Sequence, residues 1–306
     1  MLLKRFPPHA PVATMKRVPP SSRFVRANGL SVHYLDWGGD GPPVLLCHAT
    51  GFVSAVWSHL GDALAGRGFR PIAPDTRGHG LSDKLASDYS WHTLAEDVYC
   101  FVEALELEQV AAVGHSAGGT SLVVCEAQHP GTLTRMVLID PVLRLPHERL
   151  DGRSHMLAEG ARRRRMVWPS RQEMMGSFKA RAPFASWMEG PLRAYVEAGT
   201  RLLPDGRAEL LCPGPVEAQV YAMGGQLDPW PGMSQVHCPV LAIRAGKSET
   251  FSPAGAARLA ELVRDCRIVT IPAADHFVPM ERPDEVAELV IPFLEDQKGA
   301  TSPSGA

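Results

Sequence analysis

Residues 112–120 read AVGHSAGGT. An apolar run, VAAVG, leads into a cluster of small residues with one serine at its centre. Gly114, Gly118 and Gly119 lie within six residues of Val113, and Ala117 is small as well. A flexible loop has no need of that spacing. A sharply turned backbone, crowded by neighbours on both sides, does. A helical pattern from Ala117 to about His129 completes a strand–turn–helix unit. Gly114-His115-Ser116-Ala117-Gly118 is then a G-x-S-x-G nucleophile elbow in the context such an elbow requires. The turn lifts the Ser116 hydroxyl clear of the sheet. The helix after it aims its N–H groups and positive end at the same place.

The chain on either side alternates. RFVRA, Asn28-Gly29 and LSVHYLDW predict a β-hairpin. PPVLLCHA is the continuous apolar run of a buried central strand. A helix near Trp57–Ala65, a strand at FRPIAP and a helix over Trp91–Leu107 lead up to the elbow, and MVLID follows it as a strand. The alternation stops at Pro141. Residues 141–236 hold a basic run, Arg162–Arg165, several Trp and Met residues and no clear strand. Ser170 with Glu173 forms a capping box there. Met174 and Phe178, four apart, share a helix face. Alternation resumes with CPVLAIRAG, a helix near Pro253–Val263, RIVTIP and a closing helix over Pro283–Leu294. The fold class expected is α/β. A mostly parallel central sheet flanked by helices is formed by residues 21–140 and 237–297, and a helical insertion spans 141–236.

Bulk properties exclude several classes. The 306 residues are 45% hydrophobic and 21% charged, as expected of one large domain with an insertion. A net charge of −2 steers the chain neither to nucleic acid nor to an anionic membrane. No apolar run approaches the roughly 20 residues that span a bilayer. The six cysteines show no CxxC pair and no Cys/His ligand spacing, so no metal site is expected and a reducing, cytoplasmic setting is. Residues 1–20 read as a basic, proline-rich tail whose prolines break any targeting helix; Met15 is an alternative start. Residues 298–306 read as a second tail.

Serine is a poor nucleophile without a base. His276, in PAADHFVPMERPDEV, lies beyond the last strand and before the last helix, where a base for this elbow belongs. The histidine needs an orienting carboxylate. Glu249, after CPVLAIRA, gives the chain order Ser116…Glu249…His276 and is preferred; Asp140, ending MVLID, is the alternative. Asp275 adjoins the histidine too closely to reach its far nitrogen. For the oxyanion, the expected donors are the backbone N–H groups of Ala117 and of Thr50 in HATGF, with Ala49 the alternative to Thr50. His48 reads as a structural hydrogen-bonding residue.

With these pieces assembled, the chain resembles the α/β-hydrolase fold superfamily. The matching stretches are LLCHATGF, APDTRGHGLSD, AVGHSAGG, LIDPV, LAIRAG and ADHFVPMERPDEV, spread over residues 22–296. PDTRGHGLSD carries the family's Asp-x-Arg-Gly-x-Gly-x-Ser pattern, with Asp75, Arg77 and Ser82 in structural roles. Members that open epoxides or displace halide carry Asp at the nucleophile position, and Ser116 argues against both. Two departures stand out: His48-Ala49 replaces the usual His-Gly, and Gly246-Lys247-Ser248-Glu249 replaces the usual Gly-x-x-Asp. The resemblance implies that residues 141–236 are a helical cap over the nucleophile. Phe52, Trp168, Phe184, Trp187, Phe251 and Phe277 are the substrate-pocket candidates. The Arg162–Arg165 run reads as a solvated helix face, with an anionic-substrate site as the alternative.

The expected activity is a serine hydrolase, carboxylesterase-like, acting on a small, largely apolar ester through an acyl-enzyme. No cofactor is expected, and the protein would be a monomer or homodimer. Thioesterases, lactonases, amidases, carbon–carbon bond hydrolases and cofactor-free haloperoxidases share the same residues. A ligand-binding receptor or pseudoenzyme is the rival from another class. It predicts that neither Glu249 nor Asp140 reaches His276.

Overall fold

The structure, a computed structural model, describes residues 19–296 apart from 151 and 227; the tails expected at 1–20 and 298–306 fall almost wholly outside it. The Asn28-Gly29 turn joins β1 (Ser21–Ala27) to β2 (Leu30–Asp36), both turn residues taking the positive φ that a tight hairpin needs. Six further strands complete the sheet. They are β3 (Pro43–Cys47), β4 (Arg70–Pro74), β5 (Ala111–His115), β6 (Arg135–Ile139), β10 (Val240–Ala245) and β11 (Cys266–Ile271). The spatial order is β1-β2-β4-β3-β5-β6-β10-β11. Every pair from β4 to β11 is parallel, and β2 meets β4 antiparallel.

The helices α1 (Ser58–Ala65), α2 (Trp91–Ala104), α3 (Ala117–Gln128), α8 (Pro253–Leu262) and α10 (Pro283–Glu295) cover the sheet. Two apolar clusters result, one on each face. Strand β5 is buried throughout, which is why its sequence is apolar without alternation. The order of the strands brings the carboxyl ends of β5, β6 and β10 side by side. Loops from these three strands can therefore meet.

The chain between β6 and β10 leaves the main sheet, and it is not all helix. It holds α4 (Arg153–Arg162), α5 (Arg171–Lys179), α6 (Glu189–Ala198) and α7 (Gly214–Gln226). It also holds a three-stranded antiparallel sheet of β7 (Val167–Trp168), β8 (Thr200–Leu202) and β9 (Ala208–Leu210). Strands of two or three residues are too short to show a period of two, so the sequence carries no sign of them. Ser170 caps α5: its hydroxyl accepts the Glu173 N–H at 3.1 Å, which is one half of the expected capping box.

Candidate active site

Ser116 stands alone between β5 and α3 with φ 54° and ψ −119°, a conformation a non-glycine residue adopts only under constraint. The constraint is visible around it. The Ser116 N–H donates to the Ile139 carbonyl at 2.9 Å. A Cβ on Gly118 would stand 2.3 Å from the Cys47 carbonyl oxygen. One on Gly114 would stand 2.6 Å from the Gly119 nitrogen. Both glycines are required by crowding rather than by flexibility, as the opening stretch suggested.

His276 Nε2 lies 3.0 Å from Ser116 Oγ, and its Nδ1 lies 2.7 Å from Asp140 Oδ2. The carboxylate accepts from Nδ1–H, which leaves Nε2 with a lone pair for the serine proton. Asp140, wholly buried, also accepts the Ala245 N–H at 3.0 Å on Oδ1 and the Ser248 hydroxyl at 2.5 Å on Oδ2. His115 fixes the histidine loop from below: its ring lies 2.8 Å, through Nε2, from the His276 carbonyl. Burial holds the His115 pKa well below its ordinary value, so the ring is neutral.

The expectation for the acid is corrected. Glu249 does not reach His276. Its side chain is 80% exposed and pairs with Arg153 Nη2 at 3.1 Å. The slot beside Nδ1 is already filled from the neighbouring strand, because β6 pairs with β10 and ends next to it. The turn after β10, closed by Ser248 N–H to Ala245 carbonyl at 3.1 Å, aims Ser248 inward and the next residue outward.

The loop carrying Thr50 is held from both sides. The Gly51 N–H donates to His79 Nε2 at 2.9 Å, and the Gly51 carbonyl accepts from Tyr195 Oη at 3.2 Å. His79 donates in turn from Nδ1 to the Arg77 carbonyl at 2.9 Å, and burial lowers its pKa to about 3. His48 is a structural residue: Nδ1 lies 2.8 Å from the Ala49 carbonyl, and Nε2 accepts the Thr76 N–H at 3.0 Å. Ala117 opens α3, so its N–H has no acceptor within the helix.

A cavity of about 1150 Å³ opens over Ser116 and His276. Phe52, Trp168, Phe184 and Phe277 line it, as does Thr50. Trp187 stands one layer behind, against Phe52 and Phe184 at 5.2 and 5.0 Å between ring centres. Phe251 does not belong to the site: it is wholly buried in the core with Leu143 and Leu259. It is not part of the cavity wall.

The cavity is also charged, which the sequence reading held only as the alternative for the Arg162–Arg165 run. Arg144, Arg153, Arg163, Arg164, Arg165, Arg181 and Lys247 line the cavity, against Glu217, Glu249 and Asp275. The Arg162–Arg165 run is not one solvated face. Only Arg162 stays outside, paired with Glu159. Helix α4 ends at Arg162, and Arg163–Arg165 lie in the turn and loop beyond it, so the run does not share one helix face. Arg164 is the deepest of them, bound to Glu217 and to Tyr195 Oη.

The comparisons agree with this architecture. The model of the Alpha/beta hydrolase family matches residues 44–289, and the chain belongs to that family. It is 29% identical over 257 residues to 2-(acetamidomethylene)succinate hydrolase of Mesorhizobium japonicum, covering 84% of this chain and 89% of that one. It is 28% identical over 260 residues to N-formylmaleamate deformylase of Pseudomonas putida, covering 84% and 90%. The crystal structure of E-2-(acetamidomethylene)succinate hydrolase superposes with a TM-score of 0.81 at 27% identity, covering 90% of this chain and 99% of that one.

Proposed function

We propose that the protein is a serine hydrolase that cleaves an acyl bond, ester or amide, in a small organic acid. The observation that carries this is the Ser116–His276–Asp140 relay opening into a cavity where cations outnumber acids. His276 takes the proton from Ser116 as Oγ attacks the acyl carbon. The N–H groups of Thr50 and Ala117 receive the oxyanion. His276 then protonates the leaving group, and a water molecule activated by the same ring frees the acyl product. The insertion acts as the cap that walls the substrate in. The two relatives act, by their names, on carboxylates that carry an N-acyl group. That matches the arginines here better than the largely apolar ester expected from sequence. The receptor reading required both carboxylates to miss His276, and Asp140 does not.

The test is hydrolysis of matched esters and N-acyl compounds with and without a carboxylate. Wild type should favour the acids. Ser116→Ala should lose about a thousandfold or more in kcat, and Asp140→Asn about a hundredfold or more. Glu249→Gln should fall far less than Asp140→Asn. No turnover of any acyl substrate, together with no labelling of Ser116 by a fluorophosphonate, would sink the reading.

A further inference from the structure

The cations around the cavity are not equivalent. Arg164 is bound to Glu217, and Arg153 to Glu249. Arg165 and Arg181 have no acidic partner among the described residues. Both lie on one ring: their guanidinium carbons stand 4.6 and 5.8 Å from the centre of the Trp168 indole. Each is anchored through its stem side. Arg165 Nε donates to the Val167 carbonyl at 2.9 Å. Arg181 Nε donates to the Ser177 carbonyl at 3.0 Å, and its Nη2 to the Ser177 hydroxyl. Among the described residues, both η groups of Arg165 and the Nη1 of Arg181 are left over. Two like charges preorganised on one indole form a receptor for an anion. The indole N–H of Trp168 also has no acceptor among the described residues.

From this ring an aromatic row runs to the reacting centre. Trp168 meets Phe178 at 5.5 Å and Phe178 stacks on Phe184 at 4.4 Å. Phe184 lies parallel to Phe277 at 6.4 Å, and Phe277 meets His276 at 5.1 Å. The cavity, about 1150 Å³, is larger than the roughly 300–1,000 Å³ of ordinary small-molecule sites. A charged end, an apolar wall and a nucleophile at the other end describe a long amphipathic guest.

We propose that Arg165 and Arg181 bind the substrate's carboxylate against Trp168, and that an apolar spacer along the aromatic row separates it from the scissile acyl bond. This rests on the carboxylate reading above and extends it: the substrate is an acid whose charge lies well away from the bond that breaks.

The experiment compares mono-p-nitrophenyl esters of adipic, suberic and sebacic acids with neutral esters of equal chain length. In wild type the acid-to-neutral ratio of kcat/KM should rise with length and reach about tenfold or more. It should collapse toward one in the Arg165→Gln/Arg181→Gln double variant, and persist in Arg207→Gln, whose side chain pairs with Asp205 outside the cavity. Calorimetric titration of the free diacids into the Ser116→Ala protein gives the same comparison without turnover. A wild-type ratio near one at every length, with no diacid binding, overturns the carboxylate reading itself. A ratio highest for the shortest acid and kept in the double variant leaves that reading standing but moves the carboxylate to Arg153 or Lys247. That outcome overturns this proposal.

Discussion

Ser248 is the least conspicuous residue around the relay. Its hydroxyl donates to the Asp140 oxygen that also faces His276, and it accepts the Thr250 N–H at 3.1 Å, which orients it. It positions the carboxylate. Ser248→Ala should lower kcat about tenfold at nearly constant KM, and Ser248→Thr should restore most of it. A wild-type kcat in Ser248→Ala would show that Asp140 needs no such support. The downfield proton resonance of His276 Nδ1 should also move in the alanine variant, which loss of packing alone would not cause. Gly118→Ala tests a different kind of necessity. The added methyl runs into the backbone of β3, so the expected outcome is a fall in melting temperature corresponding to about 1–3 kcal/mol, read by calorimetry.

At the scale of elements, the insertion is tied to the loop that holds Thr50. Glu217 on α7 binds Arg164, Arg164 Nη2 donates to Tyr195 on α6 at 3.1 Å, and Tyr195 donates to the Gly51 carbonyl. Tyr195→Phe removes one donor and leaves the Gly51 carbonyl and the Arg164 donor short of a partner. The expected result is a drop in kcat of about tenfold. A boronic acid that mimics the tetrahedral intermediate should lose affinity by a similar factor, while the product acid should not. Equal losses for both ligands would mean that Tyr195 only packs. This connection could not be read from sequence, since it joins residues 51, 164, 195 and 217 through side chains that have no shared motif. The parallel sheet and the elbow were readable, because continuous apolar strands and crowded glycines each have one physical explanation. The acid was not. Asp140 and Glu249 both follow strands, and only the adjacency of β6 and β10 decides between them.

Across the whole molecule, polar groups buried beneath the site make stability depend on pH. Burial lowers the pKa of His48, His79 and His115, with His79 at about 3. The unfolded chain therefore binds more protons than the folded one below about pH 6.5. Stability contributed by neutral burial is complete above that pH and is lost as the medium is acidified toward the folded pKa values. Each such histidine contributes a slope of about 1.4 kcal/mol per pH unit across its window. Asp75 adds to the loss at lower pH: His33 beside it, at 2.7 Å, and the Ser54 N–H outweigh its burial and hold its pKa well below the usual range. Calorimetry from pH 7 to pH 4 should show a steady fall in melting temperature, with a shallower slope in His79→Asn. A flat profile would contradict neutral burial of these rings.

Lodging the carboxylate on β6 has one more effect. The loop after β10 carries Lys247 and Glu249 into the cavity, yet apart from Ser248 it has no fixed part in proton transfer. Those two positions are open to exchange. Under the proposed function, a library built there would retune substrate choice while the chemistry beneath stays intact, so selectivity and turnover would diverge through separate residues.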